Sequence, residues 1–490
     1  MRNNVLMLLI WLSVSVQGQS LAPNRITGRE DSIRQKVYAM GLPVVEIKTI
    51  NNEWPHYYTV EAPEGCFGRS ITGATKVPGR ITIVLGDSLM FDSGEFEEDV
   101  SGMKVNIRGN NSARMRKKGY KVKLQKKADM LRRGDDRYKD KNWVLLATQN
   151  IRADVGVKVS QMLNMPYAPA FEHVNLIFNN EYKGNYILME TIRRNTDCRI
   201  NISKDGYLFE YDPYFWNEDV AVPSELMEPY IQYTFKYPDP DEITTEQIDR
   251  FTTMIRKVEN SMLDGTYPDY VDVQSLATWI MAHELLGTKD WRGANHFLTK
   301  YDDSDATKVQ MPCLWDFDSV LPDTTDWYAN QWFGEHTRFY FKFMLNSDNL
   351  EFVRRFVGLY DEISPTFFDE IDAWLEEMQS SDLAQKMEQA VALDSIRWNE
   401  PRVPFGESIK YARKWFVWRK NWIDSHIDEY RQRLIPTGIE EVATDEHKGL
   451  WMDDTAFYNL QGQQLSHPQK GINIRNRRKF ILHSSFQCIP

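Results

Sequence analysis

The residue types best suited to chemistry are concentrated between Asp290 and Asp318. Asn295 stands five residues after Asp290, and Asp316 and Asp318 close the stretch as Trp-Asp-Phe-Asp. His296 to Tyr301 reads as a strand, Asp302 to Thr307 as a polar turn and Val309 to Leu314 as the return strand. The residues flanking a hairpin meet at its open end, with strands about 5 Å apart. That expectation makes neighbours of Asn295 and Asp316, with Asp290 and Asp318 close by. Converging carboxylates and an amide oxygen are hard ligands suited to Mg²⁺ or Mn²⁺. A spare carboxylate beside them can take a proton from a hydroxyl. Asp302, Asp303 and Asp305 lack the glycine and terminal glutamate of a calcium loop and read as a solvated turn.

A second candidate is cationic. Lys104 to Arg133 holds 12 Lys/Arg and one acid, Asp129, in a chain of 490 residues whose net charge is −11. Arg108-Gly109-Asn110-Asn111-Ser112 is a polar turn after a strand, and Lys118 to Leu124 is the next strand. A glycine turn exposing N–H groups beside a strand lysine suits phosphate. The same lysines would also suit a solvated edge strand. The acidic total excludes a general nucleic-acid binder.

The elements that must position these residues follow from periodicity. Ile81 to Leu85, Val105 to Ile107, Tyr120 to Leu124 and Tyr207 to Tyr211 read as strands. Val174 to Phe178 and Tyr186 to Met189 read as a hairpin, and Ala153 to Leu163 as a helix. Beyond residue 240 Ile248, Phe251, Ile255, Val258 and Met262 share a helical face, with Thr244 and Gln247 as its capping box. Ser275 to Leu286 is an apolar helix that Gly287 ends, and 350 to 430 is mostly helical. The class expected is α+β.

Arg2 and the apolar run Val5 to Val16 read as a secretory signal peptide cut before Gln19. No later stretch is long and apolar enough to span a bilayer, so no transmembrane segment is expected in the mature chain. The four cysteines, Cys66, Cys198, Cys313 and Cys488, allow two bridges in three possible pairings, of which at most one bridge is expected.

Together these residues resemble the spore coat protein H (CotH) kinase family of secreted atypical protein kinases. The resemblance covers roughly 42 to 430. It is carried by Ile107 to Leu124, Asn142 to Ala147, His173 to Ile192 and the Asp290-to-Asp318 block. It implies a two-lobed, protein-kinase-like fold with a β-rich N-lobe (42–240), a helical C-lobe (241–435) and an ATP cleft between them. The signal (1–18) and a leader (19–41) would precede these lobes, and a small β-type tail (436–490) would follow.

By the resemblance Asp290 is the catalytic base and Asn295, Asp316 and Asp318 hold the metal. Lys118 contacts the ATP phosphates, with Lys121 and Lys123 as other choices. Arg108 and Ser112 form the phosphate-facing turn, and Met189-Glu190 lies near adenine. The usual His-Arg before the catalytic aspartate is replaced by Thr288-Lys289, and the helix 153–163 holds no glutamate for the lysine, only Asp154. The tail from Tyr458 to Leu465 and Gly471 to Asn476 resembles sorting modules of Bacteroidetes-type bacteria.

The implied function is transfer of the ATP γ-phosphoryl to Ser/Thr of a secreted or surface protein. It would take place in the periplasm or at the cell surface of a Gram-negative bacterium, with no nucleic-acid partner. The alternatives are a non-catalytic scaffold of the same fold, or a glycosyltransferase using Asp316-Phe317-Asp318 as a D-x-D.

Overall fold

The computed structural model describes residues 30–435 apart from 69, 149, 227–230, 291–292 and 338, and four strands between 457 and 482. The signal-like segment and most of the tail therefore lie outside the described residues. Residues up to Ile427 form one compact unit and Asp428–Pro490 another. In the second, a helix (Asp428–Leu434) and a four-stranded sheet are described.

In the first unit the alternation of buried and exposed positions builds strands. They are β1 (Val44–Thr49), β2 (Tyr57–Glu61), β3 (Ser70–Ala74), β4 (Val77–Leu85), β5 (Ser88–Asp92), β6 (Met103–Arg108), β7 (Gly119–Ala128), β8 (Asp140–Leu146), β9 (Phe171–Phe178) and β10 (Glu181–Glu190). β2 and β3 pair only with each other. The remainder run β1-β9-β10-β8-β7-β6-β4-β5, and β1 also pairs with β4. That last pairing closes seven strands into a barrel, with β5 appended to β4. Closure leaves no open edge among the seven. Ile47, Ile83, Val105, Val122, Trp143 and Leu176 fill the interior.

The closed barrel is a correction to the plain β-rich lobe expected. The overall class, α+β with a β-rich region followed by a helical one, stands. Residues 351–426 carry four long helices, Glu351–Ile363, Phe367–Ser380, Asp382–Trp398 and Phe405–His426.

A second sheet, β11 (Tyr207–Asp212), β12 (Ala221–Pro223), β13 (Gln232–Tyr237), β14 (His296–Lys300) and β15 (Val309–Gln310), has the order β12-β13-β11-β14-β15. It joins strands from both sides of residue 240. The expected return strand Val309–Leu314 stops at Gln310. Pro312 has no N–H for the ladder. The chain instead runs along the helix Val273–Leu286, where the Ser275 hydroxyl accepts from Met311 N (2.8 Å) and Trp279 Nε1 donates to Cys313 O (3.2 Å).

The helix Thr245–Asp264 has the expected capping box, and Gly287 ends Val273–Leu286 in the left-handed region (φ 59°). Asp302 caps its turn by accepting from Ser304 and Thr307, a polar turn as expected. Cys66, Cys198 and Cys313 are unpaired, and Cys488 lies outside the described residues.

Candidate active site

The outer face of the barrel floors a cleft of about 930 Å³. Register explains which residues reach it. Arg108 pairs with Gly119, Tyr120 with Leu145, and Leu146 with Ile187, so one stripe crosses β6, β7, β8 and β10. Arg108, Gly119 and Leu146 of that stripe line the cleft, as does Met189, two residues beyond Ile187 on the same face of β10. Leu146 and Met189 give the floor an apolar part, and Arg108 gives it charge. The Arg108 guanidinium lies 5.8 Å from the Trp315 ring centre. Among the described residues it has no ion pair, although the Asp318 charge reaches it.

The turn after β6 supplies the next wall. Gly109 sits at φ 91°, and a Cβ there would fall 2.0 Å from Ser112 Oγ. Only glycine makes that turn without moving Ser112, which also lines the cleft. Lys118 does not line it. Lys118 shares the parity of Tyr120 and Val122, which face the barrel interior, and one residue of offset changes the face. Its ammonium donates to Ala113 O (2.8 Å) and Met115 O (3.1 Å) and lies 4.3 Å from the Tyr57 ring centre. It clamps the turn. Lys121, by contrast, shares the parity of Gly119, though it stands just beyond the cleft lining.

Glu190 is likewise turned away, while Met189 faces in. The Glu190 carboxylate is buried and accepts from Arg133 Nη2 (2.9 Å), Tyr167 Oη (3.0 Å) and Ala170 N (3.1 Å). Asp154 is inside its helix rather than at the N-cap, which is Ile151, and it bonds His173 Nε2 (2.9 Å). Lys117, unremarked in the sequence, does line the cleft. It is buried against Asp394 (2.6 Å), and burial pushes its ammonium down to about 8.

Asp290, Asn295, Asp316 and Asp318 all line the same cleft. The helix Val273–Leu286 delivers the first. After Gly287, Lys289 N donates to Ser319 O (3.2 Å) and the Lys289 ammonium pairs with Asp326. Gly293, Ala294 and Asn295 then run at φ 97°, 61° and 61°, and Asp316 sits at φ 64°. Left-handed backbone at non-glycine residues is costly, about 1–3 kcal/mol each, and persists where surroundings enforce it. Here Ala294 N donates to Tyr211 O (3.1 Å) and Asn295 N to Glu210 Oε1 (2.8 Å). Asp318 is held by Arg152 Nη1, which donates to its backbone oxygen (3.0 Å). Phe317 packs on Gly156 of the helix Arg152–Met162, where a Cβ would lie 2.0 Å from the ring.

Asp290 and Asp318 are open to cleft water yet walled in by protein. That crowding, then the Asp316 charge, pushes each up to about 6; Arg108 and Arg152 oppose the rise at Asp318. The cleft thus has a carboxylate-rich wall opposite a cationic floor.

Further lining residues not singled out in the sequence include Glu210 and Asp212 on β11 and Lys236 on β13. Lys236 pairs with Glu210 (3.0 Å). Asp212 is buried and accepts from Tyr214 N (2.7 Å) and Thr234 Oγ1 (3.1 Å); burial and then Glu210 push it up to about 7. The available signal was a pair of acids at alternate positions of an otherwise apolar strand, Tyr-Leu-Phe-Glu-Tyr-Asp.

Among the described residues no three His, Cys, Asp or Glu side chains are grouped closely enough to hold a metal unaided. Mg²⁺ is ordinarily held by one or two carboxylates and substrate phosphates rather than by an all-protein cage. The donor set of Asp316, Asp318 and the Asn295 amide fits that pattern.

A family model described as CotH kinase protein matches residues 105–423, about two thirds of the chain and the whole of this cleft's acidic wall. No curated protein matches the chain.

Proposed function

The chain belongs to the CotH kinase protein family, and from that premise we propose that it is an exported kinase acting on protein Ser/Thr hydroxyls. One observation carries the reading: a single cleft lines Arg108 and Ser112 with Asp290, Asn295, Asp316 and Asp318. In this reading the barrel serves as the nucleotide-bearing lobe and the helical region as the other. ATP lies on the barrel face, its base over Leu146 and Met189 and its phosphates toward Arg108 and the Gly109 turn.

A bound Mg²⁺ or Mn²⁺ supplies neutralisation of phosphate charge, and Asp316, Asp318 and Asn295 are the residues that would hold it. Asp290 acts on the acceptor. Its carboxylate takes the hydroxyl proton as the oxygen–phosphorus bond forms and the bond to the ADP oxygen breaks. An affinity for protons raised to about 6 suits a base working near neutrality. Glu210 holds the Asn295 backbone and is a positioning residue.

Export rests on the Arg2 and Val5–Val16 pattern. Among the described residues no helix is long and apolar enough to cross a membrane.

The test is incubation of purified protein with labelled ATP and Mn²⁺, with mass spectrometry of the protein and its secreted neighbours. Label should appear on Ser or Thr and be lost in Asp290→Asn. Equal labelling by that variant removes Asp290 as the base.

A non-catalytic member of the family is the second reading. It is favoured by the pairing of every lysine that lines the cleft: Lys117 with Asp394, Lys236 with Glu210 and Lys289 with Asp326. Thermal-shift titration separates the two readings. A shift that needs ATP and metal together, and that Asp316→Ala abolishes, argues for a working site.

A further inference from the structure

The cationic segment supplies more charge than the cleft uses, and the fold removes one explanation for the excess. Lysines are favoured on edge strands, where they block pairing with other chains. β7 is not an edge: β6 lies on one side and β8 on the other. Its inward residues, Tyr120, Val122 and Leu124, are core. Its outward ones, Lys121 and Lys123, are exposed.

What sets these lysines apart is their concentration on one face of the sheet, since exposed Lys48, Lys204 and Lys414 also form no ion pair among the described residues. Lys123 stands directly across from Lys104 in the β6–β7 register. Like charges placed opposite one another destabilise a sheet by a few tenths of a kcal/mol. Lys104 is neutralised by Glu98 (2.7 Å). Among the described residues Lys76, Lys121 and Lys123 form no ion pair or hydrogen bond, and Arg193 reaches only Asp140, at 3.7 Å. Lys76 immediately precedes Val77, whose partner Val105 adjoins Asn106, the residue across from Lys121. Crowding by surrounding protein holds the Lys121 ammonium below the usual lysine range, and the charges of Lys236, Lys76, Arg193 and Lys123 lower it further.

The patch is also continuous with the cleft. Gly119, two residues before Lys121 on the same face, lines the cleft, as does Lys236. Across from Lys121 and Lys123 in the register stand Asn106, Val144, Asn142 and Lys104, none of them an aromatic ring on which a nucleic-acid base could stack. The chain as a whole is strongly acidic. It repels long polyanions, yet within a screening length of about 8 Å a short acidic segment feels the local lysines.

We propose that the outer face of β7, centred on Lys121 and Lys123 and flanked by Lys76 and Arg193, docks an Asp/Glu-rich segment of the protein whose hydroxyl enters the cleft. The acceptor hydroxyls are then those that lie beside acidic sequence. This specificity rests on the kinase reading above, whereas the docking itself is a binding property and can be measured without ATP.

The probe is a fluorescent, Ser-centred peptide with Asp/Glu flanks, compared with its Asn/Gln isostere. Anisotropy is followed on the full chain at low and high salt. The double variant Lys76→Glu/Lys123→Glu changes only exposed residues outside the cleft, so its melting temperature should match the parent's. Its affinity for the acidic peptide should fall about tenfold, and the salt dependence should shrink with it. Unchanged affinity in the variant overturns the proposal, as does equal binding of the isostere. Stronger binding of a single-stranded oligonucleotide than of the peptide also overturns it, in favour of a nucleic-acid site. ATP autolabelling of the same preparations separates the two readings. Peptide binding without labelling sinks the kinase reading alone, and labelling with no charge-dependent peptide binding sinks the docking alone.

Discussion

Glu284 and Asp290 stand six residues apart, on either side of the Gly287 cap, and meet opposite fates. Glu284 is fully buried and fully answered. It accepts from Phe333 N (3.0 Å), Gly334 N (2.9 Å) and Arg419 Nη2 (2.9 Å). Arg419 spends its other nitrogens on Glu284 O (2.6 Å) and Ala329 O (2.7 Å). Burial pushes Glu284 up to about 7, and Arg419 with the Phe333 and Gly334 N–H groups opposes the rise. Asp290 has no such set. Its neighbours Asp316 and Asp318 carry its own sign, and among the described residues no cation lining the cleft forms an ion pair with it, Arg152 reaching the Asp318 backbone instead. The protein neutralises one carboxylate internally, where it anchors the helix. It leaves the other facing the cleft beside two carboxylates of its own sign. The two carboxylates thus differ both in donors and in depth, Glu284 being buried and Asp290 open to the cleft.

The sharpest way to break that contrast is to make Glu284 resemble Asp290. Arg419→Met strands a buried carboxylate and is expected to cost about 3–5 kcal/mol, much of a domain's stability. Urea denaturation measures it. Adding Glu284→Gln should recover most of the loss, since the amide oxygen still accepts from the backbone. A loss under about 1 kcal/mol in the single variant would mean that the pair is not the anchor described.

The converse substitution, Asp290→Asn, removes a charge that no cation pairs with among the described residues. Phosphotransfer should fall by about 10²–10⁴-fold while the melting temperature holds or rises. A variant that unfolds with its activity would place Asp290 with Glu284 as a structural group. Gly156→Ala acts on the same wall indirectly. The added methyl meets the Phe317 ring and must displace it, together with the aspartates on either side. Overpacking of this kind costs about 1–3 kcal/mol, against a helix-propensity gain of about 1 kcal/mol. Activity should drop more than stability does, and an unchanged rate would show that Phe317 does not set the position of Asp316 and Asp318.

How much of this was legible in the sequence depends on the range of the signal. Local signals carried through: the Thr244–Gln247 capping box, the Gly287 stop, the Asp302 turn and the hairpin of β9 and β10 were all readable, since each is fixed within a few residues. The four acidic-wall residues Asp290, Asn295, Asp316 and Asp318 were readable as a set from spacing and resemblance. What escaped was set by distant partners. Barrel closure depends on β1 meeting β4 and β9, pairings of which no short window carries a trace. The face on which Lys118 falls depends on the strand's starting register. Glu210, Asp212 and Lys236 join the site because β11 pairs with both β13 and β14, which flank it in the sheet but lie about 20 and 84 residues further along the chain.

Asp212 offers the gentlest test, because it lies between the two extremes. Like Glu284 it is buried and accepts two hydrogen bonds; like Asp290 it faces a neighbour of its own sign, Glu210. Its folded-state proton affinity is raised from 3.8 to about 7, so the folded protein keeps a proton that the unfolded chain has released. Between those two values the native state binds more protons than the unfolded one, and stability falls as pH rises. Below about 4 both states are protonated and the penalty vanishes; above about 7 both are ionised and it is complete. Asp212→Asn keeps the acceptor for Tyr214 N and removes the titration. The variant should therefore be more stable than the parent at pH 8, by on the order of 2 kcal/mol, with the difference closing as pH approaches 4. Melting temperatures across that range give the answer. A difference that is constant with pH would mean that Lys236 and the two donors already balance Asp212, which would set it beside Glu284 rather than beside Asp290.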